Sequence, residues 1–227
     1  EVADACRPTP EIETGDADLS LISYLQCAEA AFRAYREAVG PVDFRGHFRA
    51  LAFHTPFGGM VKGAHRTLMR KLGGAGAADI DADFDRRLGP SLSYCREVGN
   101  VYSGTVFLAL AGTLEPLAAE SGARIGLFSY GSGCCSEFYS GVVPAGAAGA
   151  MEEAAIADAL AGRSRLSVER YDALLDGAPS LAGQRDAGVG RGADGGIAAD
   201  LYDTGFAGEG LLVLERIEGY RRMYAWS

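Results

Sequence analysis

Long apolar runs are missing from this sequence. No stretch of about 18 uninterrupted apolar residues occurs, and the first residues, Glu1-Val2-Ala3-Asp4, carry neither the basic nor the apolar segment of a secretory signal. The expectation is a soluble protein in a cytoplasmic setting, with no membrane partner. Basic side chains are also scarce, with 21 Lys and Arg against 30 Asp and Glu, a formal charge of -9. A phosphate-binding surface needs a cationic excess, so no nucleic-acid partner is expected. The five cysteines (Cys6, Cys27, Cys95, Cys134, Cys135) are odd in number and without C-x-x-C spacing, and the three histidines form no H-E-x-x-H pattern. Neither a disulfide framework nor a metal site is predicted. What is present is a 48% hydrophobic composition over 227 residues, enough to bury a sizeable core in one large domain or two small ones.

The opening stretch to Thr14 mixes prolines and acids without the linker composition of a natural domain start, and reads as a cut through something larger. Leu21, Leu25, Ala28, Phe32, Tyr35 and Val39 then recur at spacings of three and four behind Asp16 and Asp18, which predicts an amphipathic helix. Phe48 to Phe53 is a short apolar run closed by His54-Thr55-Pro56, where proline withholds a ladder donor; it predicts a strand. Val61, Ala64, Leu68 and Leu72 have helical spacing. The Gly, Ala and Asp content from Gly73 to Asp83 predicts a surface connection. A second helix is predicted at or near Asn100, carrying Val101, Thr105, Leu108 and Gly112 inward. Arg124 to Tyr130 and Phe138 to Val143 predict two further strands separated by a glycine turn, with helices over Met151 to Leu160 and Val168 to Leu175. Residues 178–198 read as a long loop and 210–227 as closing strands. Strands alternating with helices indicate an α/β layer architecture.

Three segments hold chemistry at strand ends or helix starts, where rigid elements present side chains well. In the first, Phe53 to Met60, the His54 imidazole is stiffened by Pro56 and suits hydrogen bonding to a carbonyl or proton transfer; an ordinary satisfied core or surface histidine is the alternative. In the second, Val98 to Gly104, Asn100 stands at a predicted helix start, where capping and polarising the same carbonyl are compatible roles. In the third, Phe128 to Gly133, the Gly131-Ser132-Gly133 turn lets backbone approach a ligand because glycine tolerates positive φ; an ordinary tight turn is the alternative. The segment does not spell G-x-S-x-G, so Ser132 is not read as a hydrolase nucleophile.

Together FHTPFGGMVKGAH, GNVYSG, LFSYGSG and RPTPEIETGDADLSLISYL resemble the hydroxymethylglutaryl-CoA synthase family of the thiolase superfamily. The likeness runs over residues 1–227, but with the C-terminal half of that family only. GSGCCSEFYSGVV is similar to the polyketide branch, whose hydroxymethylglutaryl-ACP synthases install β-methyl branches. CoA-using relatives commonly hold a lysine five residues after the histidine, where this chain has Gly59. The resemblance implies the C-terminal half of a thiolase-like fold, a mixed five-stranded sheet with flanking helices from an α-β-α-β-α sandwich. It further implies an acyltransferase that adds an enzyme-bound acetyl group to the β-ketone of a β-ketoacyl carrier protein. His54 and Asn100 would be catalytic, with Pro56, Tyr102, Tyr130, Gly131, Ser132 and Gly133 lining the substrate site. The nucleophilic cysteine and the acid/base glutamate would lie in an N-terminal half, supplied by a companion chain or the same polypeptide. This chain alone would then be inactive, and the complete enzyme a homodimer.

No cofactor is implied beyond phosphopantetheine of acyl carrier protein or CoA carrying the substrates. The helix after His54 holds Lys62, His65, Arg66, Arg70 and Lys71 in an otherwise acidic chain. Lys62 and Arg66 are the expected contacts for an acidic donor or acceptor carrier, against the alternative of a plain solvated helix face. Two other functions fit the same residues: a hydroxymethylglutaryl-CoA synthase of isoprenoid metabolism, and a non-catalytic thiolase-like subunit that only binds a carrier.

Overall fold

The structure, a computed structural model, describes residues 4–9, 12–177, 184–188 and 196–227. It divides into two compact units, one running to Leu160 and the other from Ala161. In the first, β1 (Ala5–Thr9) pairs antiparallel with β2 (Ile12–Gly15) and leads into α1 (Ala17–Val39). Then come β3 (Ala50–Phe53), α2 (Gly58–Gly73), α3 (Ala77–Arg87), α4 (Ser93–Val98) and α5 (Thr105–Leu117), with 3₁₀ turns at Gly89–Leu92 and Tyr102–Gly104. The unit continues through β4 (Arg124–Gly131), β5 (Cys135–Val142) and α6 (Ala147–Ala154) to α7 (Ile156–Ala161).

Its centre is the mixed sheet β3-β4-β5, in which β3 runs parallel to β4 and β4 antiparallel to β5. Residues alternate across the sheet, as strand geometry requires. Leu51, Phe53, Phe128, Tyr130 and Phe138 enter one buried cluster with Tyr24, Phe32 and Leu68 of α1 and α2. Ala50, Ala52, Ile125 and Leu127 enter another with Cys95, Ala109 and Leu117 of α4 and α5. Gly126 keeps the first face passable, since a Cβ there would lie 2.9 Å from Leu51 Cδ2 and from Phe138 Cζ. Helices on both faces of a mixed sheet give the expected α/β architecture. Among the described residues this sheet has three strands where the expectation gave five.

The closing strands lie elsewhere. The second unit contains α8 (Val168–Gly177), β6 (Ala187–Gly188), α9 (Gly196–Gly205), β7 (Leu212–Glu218) and β8 (Arg221–Trp226), with β6, β7 and β8 forming a sheet of their own. The turn between β7 and β8 explains the pairing: Gly219 and Tyr220 both take positive φ, 55° and 65°, as a two-residue hairpin loop demands. The loop expected over 178–198 falls largely outside the described residues, and the described part of it includes β6 and the start of α9. No helix among the described residues is long and apolar enough to cross a membrane.

Three other expectations change. α1 forms where predicted, capped by Asp16, whose carboxylate accepts from Leu19 N at 2.8 Å. Its buried stripe, however, is Tyr24, Cys27, Ala28, Ala31, Phe32 and Tyr35, leaving Leu21 and Val39 exposed. The connection predicted from Gly73 to Asp83 is mostly helix. Ile80 and Phe84 bury one edge of α3, and Asp83 accepts from Arg87 and is joined to His65 Nε2 at 2.8 Å, which lets charged residues sit inside. The helix predicted over Met151 to Leu160 is two, α6 and α7, parted by Ala155 in the left-handed region at φ 44°.

Candidate functional site

β3 ends at the site. His54 N donates to Phe128 O at 2.8 Å, carrying the parallel ladder one residue past the strand, and the Tyr24 hydroxyl donates to His54 O at 2.6 Å. Thr55 Oγ1 turns back to Phe53 O at 2.8 Å, and Pro56 adds no donor, so pairing stops there. Both polar groups of the His54 backbone are thus held. Its imidazole is buried, tilted over the Tyr130 ring with centroids 6.3 Å apart, and its Nδ1 has no hydrogen-bond partner among the described residues. Burial lowers the His54 pKa to about 4, so the ring is neutral at physiological pH.

Asn100 sits before the 3₁₀ turn that leads into α5. Its Oδ1 accepts from Tyr102 N at 2.9 Å and from Thr105 Oγ1 at 3.2 Å, while Thr105 Oγ1 accepts from Val101 N at 2.9 Å. This corrects the capping expectation: Asn100 braces the turn, and α5 begins five residues later. With Oδ1 occupied, the amide Nδ2 remains as a donor. Val101, expected inside, is exposed, whereas Thr105 and Gly112 are buried or nearly so. Tyr102 takes φ 53°, an uncommon conformation for a bulky residue, and its hydroxyl donates to Glu13 Oε2 at 2.9 Å.

The third segment is the turn between β4 and β5. Gly131 pairs with Cys135, leaving Ser132, Gly133 and Cys134 as the loop. Positive φ falls on Gly133, 85°, and on Cys134, 59°, and not on Gly131. Asp4 holds this turn. Its buried carboxylate accepts from the Tyr130 hydroxyl at 2.6 Å and from Gly133 N at 2.9 Å. Burial by itself would raise the Asp4 carboxyl, but its hydrogen bonds, those of Tyr130 and Gly133 first, together with the Asp4 and Ala5 backbone, outweigh it and keep the pKa below the usual value. Burial and the Asp4 charge together raise the Tyr130 phenol.

One cavity of about 480 Å³ joins the three segments, lined by His54, Pro56, Asn100, Tyr102, Tyr130, Gly131 and Ser132. Asp4, Ala5, Cys6, Glu13, Ser20, Met60 and Ser103 complete the wall. Gly133 adjoins it through its bond to Asp4. Lys62 and Arg66 do not line it: Lys62 pairs with Asp81 at 3.0 Å on α3, and Arg66 is exposed on α2. The cationic face is smaller than its sequence suggests, because His65 is fully buried against Asp83 and Lys71 pairs with Glu29. Sequence reading missed Asp4 and Tyr24. Asp4 lay in a stretch read as a severed edge, and Tyr24 is one position away from the stripe chosen for α1.

Residues 66–186 match the family described as hydroxymethylglutaryl-coenzyme A synthase, C terminal. The chain belongs to the hydroxymethylglutaryl synthase family. Among curated relatives, it is 42% identical over 227 residues to the polyketide biosynthesis 3-hydroxy-3-methylglutaryl-ACP synthase PksG of Bacillus subtilis, covering 100% of this chain and 53% of that protein. A hydroxymethylglutaryl-CoA synthase of Enterococcus faecalis is 33% identical over 180 residues, 77% of this chain and 45% of its own length. Among solved structures, the hydroxymethylglutaryl synthase of the curacin biosynthetic pathway, in complex with holo donor-ACP, aligns with a TM-score of 0.91 at 49% identity. That alignment covers 100% of this chain and 54% of the solved one. MvaS in complex with 3-hydroxy-3-methylglutaryl coenzyme A aligns with a TM-score of 0.78 at 29% identity, over 99% and 55%. This hydroxymethylglutaryl synthase chain therefore spans about half the length of the relatives it matches, with the thiolase-like fold of that half.

Proposed function

We propose that this chain is the acceptor-side, C-terminal half of a polyketide β-branching hydroxymethylglutaryl-ACP synthase. The observation that carries the reading is His54: a buried, neutral imidazole with an unpaired ring nitrogen, opening on a cavity it shares with Asn100 and the Ser132 turn. A buried N–H or lone pair without a partner costs about 1–3 kcal/mol, which a bound carbonyl or hydroxyl would recover. In this reading the β-ketone oxygen of the acceptor takes hydrogen bonds from a His54 ring N–H and from Asn100 Nδ2. Both stabilise the alkoxide that forms when the acetyl carbanion attacks. A neutral ring is suited to this, since it polarises the carbonyl without first giving up a charge. Tyr130 and Ser132 border the acyl chain, with Asp4 holding the Tyr130 hydroxyl and the Gly133 N–H of the turn.

The acetyl-bearing cysteine and the enolising glutamate come from an N-terminal half, in the same polypeptide or a companion, and the complete enzyme is a homodimer acting in the cytoplasm. Substrates arrive on phosphopantetheine, with no further cofactor. Similarity to PksG and to the curacin enzyme, the latter solved with its donor carrier, supports carrier-borne substrates, as does Gly59 where a phosphate-holding lysine would stand. Lys62 and Arg66 contact the acidic carrier.

Turnover of an acetoacetyl carrier protein and of acetoacetyl-CoA, compared in the enzyme containing both halves, tests the proposal. Preference for the carrier supports it. Equal or better use of the free CoA ester would move the protein to the isoprenoid-type activity, and normal condensation by His54→Ala would leave only a carrier-binding role.

A further inference from the structure

Asn100 is braced by two neighbours, and one of them is itself held from a distance. Tyr102 N donates to Asn100 Oδ1 at 2.9 Å, while the Tyr102 hydroxyl donates to Glu13 Oε2, also at 2.9 Å, across 89 positions. Glu13, Asn100 and Tyr102 all line the cavity that holds His54. Between its two bonds the Tyr102 backbone sits at φ 53°, flanked by ordinary negative values of -112° at Val101 and -65° at Gly104. A glycine would take that conformation without strain, whereas a bulky residue keeps it only where its surroundings enforce it. What tyrosine adds over glycine here is the hydroxyl that reaches Glu13. The mount for Glu13 is firm: β2 ends at Gly15, packed so closely that a Cβ there would lie 2.6 Å from Asp4 O, and Asp16 N donates to that same oxygen at 3.0 Å.

We infer that Glu13 is a positioning residue for the acceptor step, acting through Tyr102 to fix the plane of the Asn100 amide. The inference rests on the acceptor-site reading above. If Tyr102 relaxed to negative φ, either its ring would leave Glu13 or its N–H would leave Asn100, so the two hydrogen bonds stand together. Thr105 Oγ1 is the other donor to Asn100 Oδ1, at 3.2 Å, and it is fully buried. Loss of Glu13 therefore loosens Asn100 without releasing it. An amide that turns about its Cβ–Cγ bond exchanges Nδ2 for Oδ1 and sets an oxygen, not a donor, against the forming alkoxide. That error penalises the transition state more than acceptor binding, so it belongs in the rate of condensation. A bond that merely fastened the β1–β2 hairpin would show instead in stability or in acceptor affinity.

The test uses the enzyme containing both halves, loaded with acetyl and followed through one turnover with an acetoacetyl carrier protein at varied concentration. Glu13→Ala should slow saturated condensation about tenfold, within what a small misplacement costs, with acetyl loading and half-saturation by the carrier near normal. Glu13→Gln, whose side-chain oxygen still accepts from Tyr102, should recover most of the rate. Tyr102→Phe should match Glu13→Ala, and the double variant should be no slower than either alone, since all three break the same bond. Undiminished condensation in Glu13→Ala, no recovery in Glu13→Gln, or losses that multiply in the double variant each overturn the inference. So does a change confined to half-saturation or to the urea midpoint. Should Glu13→Ala fold poorly, Glu13→Gln and Tyr102→Phe, which keep the bulk of both side chains, decide the matter. Normal condensation by Asn100→Ala tells against the acceptor-site reading itself, whereas loss there with none in Glu13→Ala removes only the positioning role.

Discussion

His54 is the residue on which chemistry and stability meet. In an unfolded chain its ring takes up a proton near pH 6.5, whereas in the folded protein burial delays this to about 4. The unfolded state therefore binds more protons between these values. The share of stability that His54 contributes is whole above about pH 6.5 and is lost as pH falls toward about 4. His54→Gln should flatten that limb, read as denaturant midpoints across the pH range. His54→Ala should lower the condensation rate by about 10²-fold or more while leaving the fold intact. Asp4 makes a different prediction. Asp4→Ala strands the Tyr130 hydroxyl and Gly133 N–H together, costing about 1–3 kcal/mol for each group that stays dry, and urea denaturation would measure it. His54, Asn100 and the Ser132 turn were legible in sequence because each is marked by proline or glycine at an element boundary. Asp4 was not: nothing about a lone carboxylate in an acidic stretch signals that a tyrosine 126 positions later will bind it.

At the scale of elements, strand β3 and helix α2 were legible because a four-residue run, all buried, ends on a proline-stiffened turn. α3 was not, since glycine and alanine lead into it and its inward residues include Asp83 and Arg87. Those two are inside because they satisfy each other: Arg87 donates to Asp83, to Phe44 O at 2.8 Å, and lies 5.1 Å over the Phe44 ring. Arg87→Met should thus destabilise by about 3–5 kcal/mol, since it leaves the Asp83 charge buried with one partner fewer. The denaturation midpoint checks this, and no change would show that water reaches Asp83. Gly126→Ala probes the same cluster from within the sheet. Its Cβ would meet three side chains at 2.9–3.0 Å, so overpacking should cost about 1–3 kcal/mol. The glycine is a packing requirement that no periodicity in the sequence announces.

At the scale of the whole molecule, a chain of charge -9 still leaves Arg66 and Arg70 exposed on α2, beside a half-buried Lys62 paired with Asp81. If a carrier docks there, reversing Lys62 and Arg66 to Glu should raise the KM for the acylated carrier and weaken its salt dependence, with kcat little changed. The α/β class was legible from alternating strands and helices, and four sequence blocks pointed to the family. The number of strands per sheet was not legible, because the β7–β8 hairpin looks the same in sequence whether it joins the central sheet or makes its own. The most direct test of the account is single-turnover condensation of an acetyl-loaded enzyme, containing both halves, with an acetoacetyl carrier protein, comparing wild type with His54→Ala. Acetyl loading should be near normal in both, with condensation lost in the variant. Equal condensation rates would contradict the assignment of the acceptor site to this cavity.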